Sequence, residues 1–73
     1  MSDTDIAIGE IAEACHITVS AVRYYADVGL LSVSRRVGGK RRFAPNAIAR
    51  VEFIQHCQES GFTLGEIGGI LDE

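Results

Sequence analysis

The side chains of this 73-residue chain best suited to a specific chemistry are its basic residues, which can bind a polyanion. All seven lie between Arg23 and Arg50, and five of them fall within residues 35–42. No acidic residue occurs from Val28 to Val51, although the formal net charge of the chain is -3. Because the positive charge is concentrated on one segment, with no acid nearby in sequence to neutralise it, we expect that segment to bind a polyanion such as nucleic acid.

Two adjacent pairs of metal-ligating residue types also occur, Cys15-His16 and His56-Cys57. Neighbouring residues on a helix point about 100° apart, so neither pair is suited to hold one ion, and we predict no metal site. No nucleophile beside a base, glycine-rich phosphate loop or carboxylate pair is evident, so we predict no catalytic residue, no cofactor and no enzymatic activity. Both cysteines lie in apolar stretches, which favours buried free thiols over a disulfide.

Length and composition indicate one small globular domain. The chain is 47% hydrophobic and 23% charged, which is typical of a folded domain. No apolar run approaches the roughly 18 residues that cross a bilayer, and the acidic start of the chain is unlike a signal peptide. We therefore predict a cytoplasmic protein with no membrane contact, in which residues 1–5 are a disordered leader and residues 6–73 form the domain.

Apolar spacing predicts two short helices joined by a tight turn. The first helix carries an apolar stripe at i, i+3, i+4 and i+7, formed by Ile8, Ile11, Ala12 and Cys15. Thr18 suits the N-cap of the second helix, whose stripe is Val19, Val22 and Ala26. Two short helices across a turn of about three residues have the size of a helix-turn-helix, whose second helix enters the major groove of DNA.

The second helix also has a polar face. At 100° per residue, four residues fall opposite its apolar stripe: Ser20, Arg23, Tyr24 and Asp27. We therefore expect Tyr24 to be an exposed aromatic residue beside Arg23. Tyr25 lies closer to the stripe, so its ring is expected to pack inward with the hydroxyl near the surface.

The basic segment predicts a β-hairpin. Gly29 is suited to end the second helix, after which Leu30 and Leu31 return to the core. Two short strands joined by a Gly38-Gly39 turn then span Val33 to Phe43. Such a hairpin after a helix-turn-helix is a wing.

Two further helices complete the predicted domain. The third helix is expected to begin near Pro45, which suits a first helical turn, and the fourth at the capping box Thr63-Leu-Gly-Glu66. The predicted fold class is therefore mostly α, a winged helix-turn-helix with a two-stranded basic wing and two more helices.

This order of elements, with its motifs, resembles the N-terminal winged-helix DNA-binding domain of the MerR family of bacterial transcription regulators. The most specific motif is Arg23-Tyr24-Tyr25 followed by Gly29-Leu30-Leu31. Five more segments agree with the family: Ile8-Gly-Glu-Ile-Ala, Arg35-Arg36, Gly39-Lys-Arg41-Arg-Phe43, Arg50-Val-Glu-Phe-Ile54 and Gly61-Phe-Thr-Leu-Gly-Glu-Ile67. The resemblance covers about residues 8–71.

The resemblance implies sequence-specific binding of double-stranded promoter DNA for transcription regulation. It implies a homodimer on an inverted-repeat operator, with RNA polymerase affected indirectly through the DNA. The family's dimerisation helix and effector-binding segment would follow Glu73, so we expect this chain to be the DNA-binding part alone, either as a fragment or as a naturally short relative.

By the same resemblance, residues of the second helix and of the wing form the DNA site. The start of the helix is expected nearest the bases, Arg23 and Tyr24 on phosphates, and the wing on the backbone or in the minor groove. The full predicted set is Thr18, Val19, Ser20, Ala21, Arg23, Tyr24, Arg35, Arg36, Lys40, Arg41 and Arg42.

Several residues depart from the family pattern. Ser20 stands where the family often has arginine and Ala21 is small, so we expect sparse base readout and a larger share from DNA shape. Ser20 is either a DNA contact or a plain surface residue. Ala26 replaces the usual acid, so Asp27 could pair with Arg23 one turn away. Arg50 is expected to be a surface or ion-pair residue, and the alternative function is a winged-helix module that binds a protein partner.

Overall fold

The computed structural model describes residues 5–71, which form a mostly helical winged helix-turn-helix, as predicted. The elements in chain order are β1 (Ile6–Ala7), α1 (Ile8–Cys15), α2 (Val19–Asp27), β2 (Val33–Val37), β3 (Lys40–Phe43), α3 (Ala47–Glu59) and α4 (Leu64–Leu71). Of the predicted disordered leader, residues 1–4 lie outside the described residues. Asp5 is described, and it makes side-chain contacts with the wing.

The turn between α1 and α2 is closed by local hydrogen bonds. His16 ends α1 in the left-handed conformation, with φ of 58°. The amide of Ile17 then donates to the carbonyl oxygen of Ala12 at 3.0 Å. Thr18 caps α2 as predicted, because its Oγ1 accepts a hydrogen bond from the amide of Ala21 at 3.1 Å. These contacts hold the two helices at a fixed crossing, which positions the exposed face of α2.

The buried face of α2 differs from the predicted stripe at one residue. Val22 and Tyr25 are buried and Ala26 is half-buried, but Val19 is 37% exposed. The prediction that Val19 packs into the core is therefore wrong. A helical side chain lies over the turn that precedes its own Cα. Val19 is the first residue of α2, so its side chain lies over the residues before the helix and not over the core. Val19 is thus part of the accessible start of the helix.

The wing belongs to a three-stranded antiparallel sheet with the strand order β1-β3-β2. The Gly38-Gly39 turn joins β2 to β3 as predicted, and both glycines have positive φ. The strand β1 was not predicted, because two residues are too few to show an alternating pattern. It pairs Ile6 with Phe43, whose side chain is fully buried. This pairing attaches the base of the wing to the helical core.

The core lies between the sheet and the helices. Its fully buried larger side chains come from α1, α2, β3, α3 and α4, and they are Ile11, Val22, Phe43, Val51, Ile54 and Ile67. Leu30 and Leu31 are also buried, as predicted.

The third helix begins at Ala47, two residues after the predicted Pro45, and the capping box at Thr63 and Glu66 forms as predicted.

The two cysteines are buried free thiols, as predicted. Burial raises the pKa of the Cys15 thiol, and the nearby charge of Glu52 raises it further. Among residues 5–71, no group of three or more metal-ligating side chains is close enough to hold an ion. No helix in the same range is long and apolar enough to cross a membrane.

Candidate nucleic-acid interface

The exposed face of α2 carries the residues that helical periodicity predicted. Ser20, Arg23 and Asp27 are exposed, and the Tyr24 side chain is 52% exposed. Tyr25, by contrast, is buried, and its hydroxyl donates a hydrogen bond to Oε1 of Gln58 on α3 at 3.2 Å. One tyrosine therefore anchors the helix to the core while its neighbour is displayed to solvent.

The wing opposes cations across its two strands. Arg35 lies opposite Arg42 and Arg36 lies opposite Arg41, with a register irregularity between Val33 and Arg35. Because side chains alternate between faces of a hairpin, each pair occupies a different face. Like charges directly opposite one another destabilise a pair of strands. Each face of the wing therefore requires a nearby negative group or polar acceptor.

Asp5 supplies negative charge to one face of the wing. Its Oδ2 accepts a hydrogen bond from Nε of Arg35 at 2.7 Å, and its Oδ1 accepts one from the Ser34 hydroxyl at 3.4 Å. The main-chain oxygen of Asp5 accepts a further bond from Nη2 of Arg42 at 2.9 Å. One residue thus offsets the repulsion between Arg35 and Arg42.

Asp27 supplies negative charge to the other face. Its Oδ1 lies 3.0 Å from Nη2 of Arg41, so an ion pair joins the end of α2 to the wing. Asp27 therefore pairs with Arg41, and its suggested pairing with Arg23 is not the one that forms. Although no acid lies near the basic segment in sequence, folding brings Asp5 and Asp27 to it from other parts of the chain.

Arg50 is an anchor for the backbone and not the surface or ion-pair residue expected. Its side chain is half-buried, and its Nε donates to the main-chain oxygen of Leu30 at 2.7 Å. This bond fixes the segment between α2 and β2, where Gly29 has a φ of 87°. Arg50 therefore positions the wing relative to α2 and has at least one of its donors committed to the fold.

Three other basic side chains have no partner for their charge among the described residues. Within the part of the chain that the structure describes, Arg23, Arg36 and Lys40 are exposed and their side chains make no hydrogen bond or ion pair. They lie on α2, on β2 and at the tip of the wing. Arg41 and Arg42 are half-buried and bonded to other parts of the fold. Three cations are thus unpaired among the described residues, whereas Arg35 and Arg41 are ion-paired and Arg42 is bonded to a main-chain oxygen.

The contacts that two acids make with the wing were missed by sequence reasoning. Asp5 and Asp27 are acids that contact the wing from 30 and 14 positions away in sequence, respectively. Residue type could not predict the contacts of the two acids, because these contacts join residues that are far apart in sequence and form only on folding.

The chain is similar to proteins named as regulators. A family model described as MerR HTH family regulatory protein matches residues 6–73. The mercuric resistance operon regulatory protein of Bacillus cereus is 38% identical over 65 residues, covering 88% of this chain and 49% of the relative. The chain thus spans about half the length of this relative, and it spans only 27% of the transcriptional activator TipA of Streptomyces coelicolor, to which it is 34% identical over 68 residues.

Solved structures give the same result. A MerR family transcriptional regulator from Bacillus cereus superposes with a TM-score of 0.80 at 33% identity, covering 94% of this chain and 52% of that one. HiNmlR, described as a MerR family regulator lacking the sensor domain, bound to promoter DNA, also has a TM-score of 0.80, at 26% identity, with 93% and 55% covered. Together with the match over residues 6–73, these likenesses show that the chain belongs to the MerR HTH family of regulatory proteins.

Proposed function

We propose that the chain is the DNA-binding part of a bacterial transcription regulator and that it binds double-stranded promoter DNA in a sequence-specific manner. The observation that carries this proposal is that the exposed side chains of Arg23 on α2 and of Arg36 and Lys40 on the wing have no partner among the described residues. In a protein with a net charge of -3, unpaired cations on a helix-turn-helix and its wing form the electrostatic footprint expected of a nucleic-acid site.

The residues of α2 and of the wing have different roles in this proposal. The start of α2, from Thr18 to Ala21, lies nearest the bases, since recognition helices read base edges with their N-terminal residues. Arg23 and Tyr24 contact phosphates. Because the start of α2 offers few long polar side chains, we expect DNA shape to contribute much of the specificity.

The wing contacts the DNA backbone or the minor groove. Arg36 and Lys40 supply unpaired charge, Arg41 and Arg42 contribute donors that their bonds within the fold leave available, and Arg35 adds positive charge to the same strand. A guanidinium has five N–H donors, so the contact of Arg41 with Asp27 and that of Arg42 with Asp5 leave other donors of these two side chains for DNA. The wing therefore holds the backbone and carries little sequence information itself.

The assembly is part of the proposal as well. The family resemblance implies a homodimer on an inverted-repeat operator, formed through a helix beyond residue 73, and an indirect effect on RNA polymerase. The relatives are longer than this chain, which spans from 27% to 49% of their length, and they therefore have room for such segments. We also propose a cytoplasmic location and no enzymatic role, since the matched relatives are named as regulators.

A salt titration tests the DNA-binding proposal. The 73-residue chain is titrated into a fluorescently labelled duplex, and anisotropy is measured at several salt concentrations. Each neutralised phosphate contributes about 0.9 to the slope of log K against log salt, so three unpaired cations predict a slope of about -3. The double variant Arg36→Ala/Lys40→Ala is expected to reduce the slope to about -1. Absence of binding at low salt would overturn the proposal in favour of a protein partner.

A further inference from the structure

Two ion pairs between wing arginines and other described residues differ in which member is exposed. In the Arg35–Asp5 pair the arginine side chain is 47% exposed and the aspartate 12% exposed. In the Arg41–Asp27 pair the arginine is 22% exposed and the aspartate 55% exposed. In the first pair, the acid Asp5 is therefore the more buried member and the arginine is the more exposed one. Asp27 is the more exposed member of its pair. Its carboxylate is therefore accessible to a polyanion that approaches Arg41.

The position of Asp27 makes it a competitor for DNA phosphates. Arg41 lies opposite Arg36 on one face of the wing, where like charges repel. The Asp27 carboxylate relieves that repulsion in the free protein. A DNA phosphate beside the same two arginines would relieve it equally well, so the carboxylate and the phosphate satisfy the same electrostatic requirement.

We propose that Asp27 is a specificity-determining residue, whose carboxylate neutralises Arg41 and lowers the affinity of the wing for DNA phosphates of any sequence. This inference rests on the proposed DNA-binding function. Affinity for non-specific DNA comes essentially from neutralised phosphates, whereas specific binding also includes base and shape readout. A residue that weakens only the phosphate contribution therefore raises the ratio of specific to non-specific affinity.

The test compares Asp27→Asn with the wild-type chain on a labelled duplex of arbitrary sequence. Asparagine keeps an oxygen that can accept a bond from Arg41, so the substitution removes charge with little change of shape. If Arg41 then neutralises one more phosphate, the salt slope steepens by about 0.9. The ratio of the variant's DNA affinity to that of the wild type would then be about 3.5-fold greater at about 50 mM salt than at about 200 mM.

Two further variants separate this effect from a change of net charge. Glu59→Gln removes the same charge from an exposed residue at the end of α3, which makes no ion pair within the described residues. It is expected to leave the salt slope unchanged. In an Arg41→Ala background, Asp27→Asn is expected to add no steepening, because the arginine that it releases is absent. Thermal melting checks that each variant is folded, and Asp27→Ser serves as a second charge-removing variant.

The outcomes distinguish this proposal from the proposed function on which it rests. If the wild-type chain binds no duplex even at low salt, both are wrong. If the wild type binds with a steep slope but Asp27→Asn behaves like Glu59→Gln, DNA binding stands and the role of Asp27 is overturned. Weaker binding by Asp27→Asn would also overturn it, since the carboxylate would then assist binding.

Discussion

Two arginines of the wing are expected to respond in opposite ways when each is replaced by alanine. Arg36 is exposed and its side chain makes no hydrogen bond or ion pair within the described residues, whereas the half-buried Arg42 side chain donates to the main-chain oxygen of Asp5 at 2.9 Å. The two residues sit on neighbouring strands and carry the same charge. Arg36→Ala and Arg42→Ala are therefore matched perturbations that differ in what the side chain does.

The expected magnitudes follow from those contacts. Hydrogen bonds from charged groups contribute about 1.5–3 kcal/mol, and we expect about 1–2 kcal/mol for Arg42 because both partners are partly exposed. A loss of 1 kcal/mol lowers the Tm of a domain of this size by roughly 4–8 °C. Arg36→Ala is a surface change and should alter stability by less than about 0.5 kcal/mol. It should instead reduce the salt slope of DNA binding by about 0.9.

The assay measures both properties for both variants. Thermal melting by circular dichroism gives the change in Tm, and anisotropy titration of a labelled duplex gives the salt slope. We expect a lowered Tm for Arg42→Ala, and a reduced slope with an unchanged Tm for Arg36→Ala. Equal Tm values for the two variants, together with equal losses of slope, would refute the division of the wing into anchoring and DNA-facing arginines.

Two more predictions concern the tyrosines of α2. Tyr24→Phe is expected to weaken DNA binding in the anisotropy titration and to leave the Tm nearly unchanged, because Tyr24 is half exposed; a large fall in Tm would contradict its surface position. Burial raises the pKa of the Tyr25 hydroxyl, with a smaller effect of Cys15, whose own pKa burial also raises. Both groups favour the neutral form in the fold, so the free energy of unfolding should fall as pH rises above about 8.5. Urea titrations measure it, and stability that increases above that pH would show that the sign is wrong.

The helices and the hairpin were predictable because their signals are local. Thr18 caps α2 and the Gly38-Gly39 turn closes the wing through contacts within a few residues. The short strand β1 was not predictable, since its two residues pair with β3 across more than thirty positions. The burial of Val19 was mispredicted because helical periodicity does not show where the core ends along the helix axis.

The exposed face of α2 was predictable, but the partners of the basic side chains were not. Helical periodicity alone places Arg23 and Tyr24 away from the core, and both are exposed. The pairings of Asp5 and Asp27 with wing arginines depend on tertiary packing that brings distant residues together. The bond from Arg50 to a main-chain oxygen has no signal in residue type, because every residue offers the same acceptor.

The most direct measurement of the DNA-binding face is an NMR titration of the labelled chain with a short duplex at low salt. If α2 and the wing bind DNA as proposed, amide resonances of residues 18–24 and 35–42 should shift together and in proportion to the bound fraction. Resonances of α4 and of the C-terminal half of α3 should shift little, because those elements carry none of the three unpaired cations. Shifts confined to α3 and α4, or no shifts at all, would contradict the assignment of α2 and the wing as the DNA-binding surface.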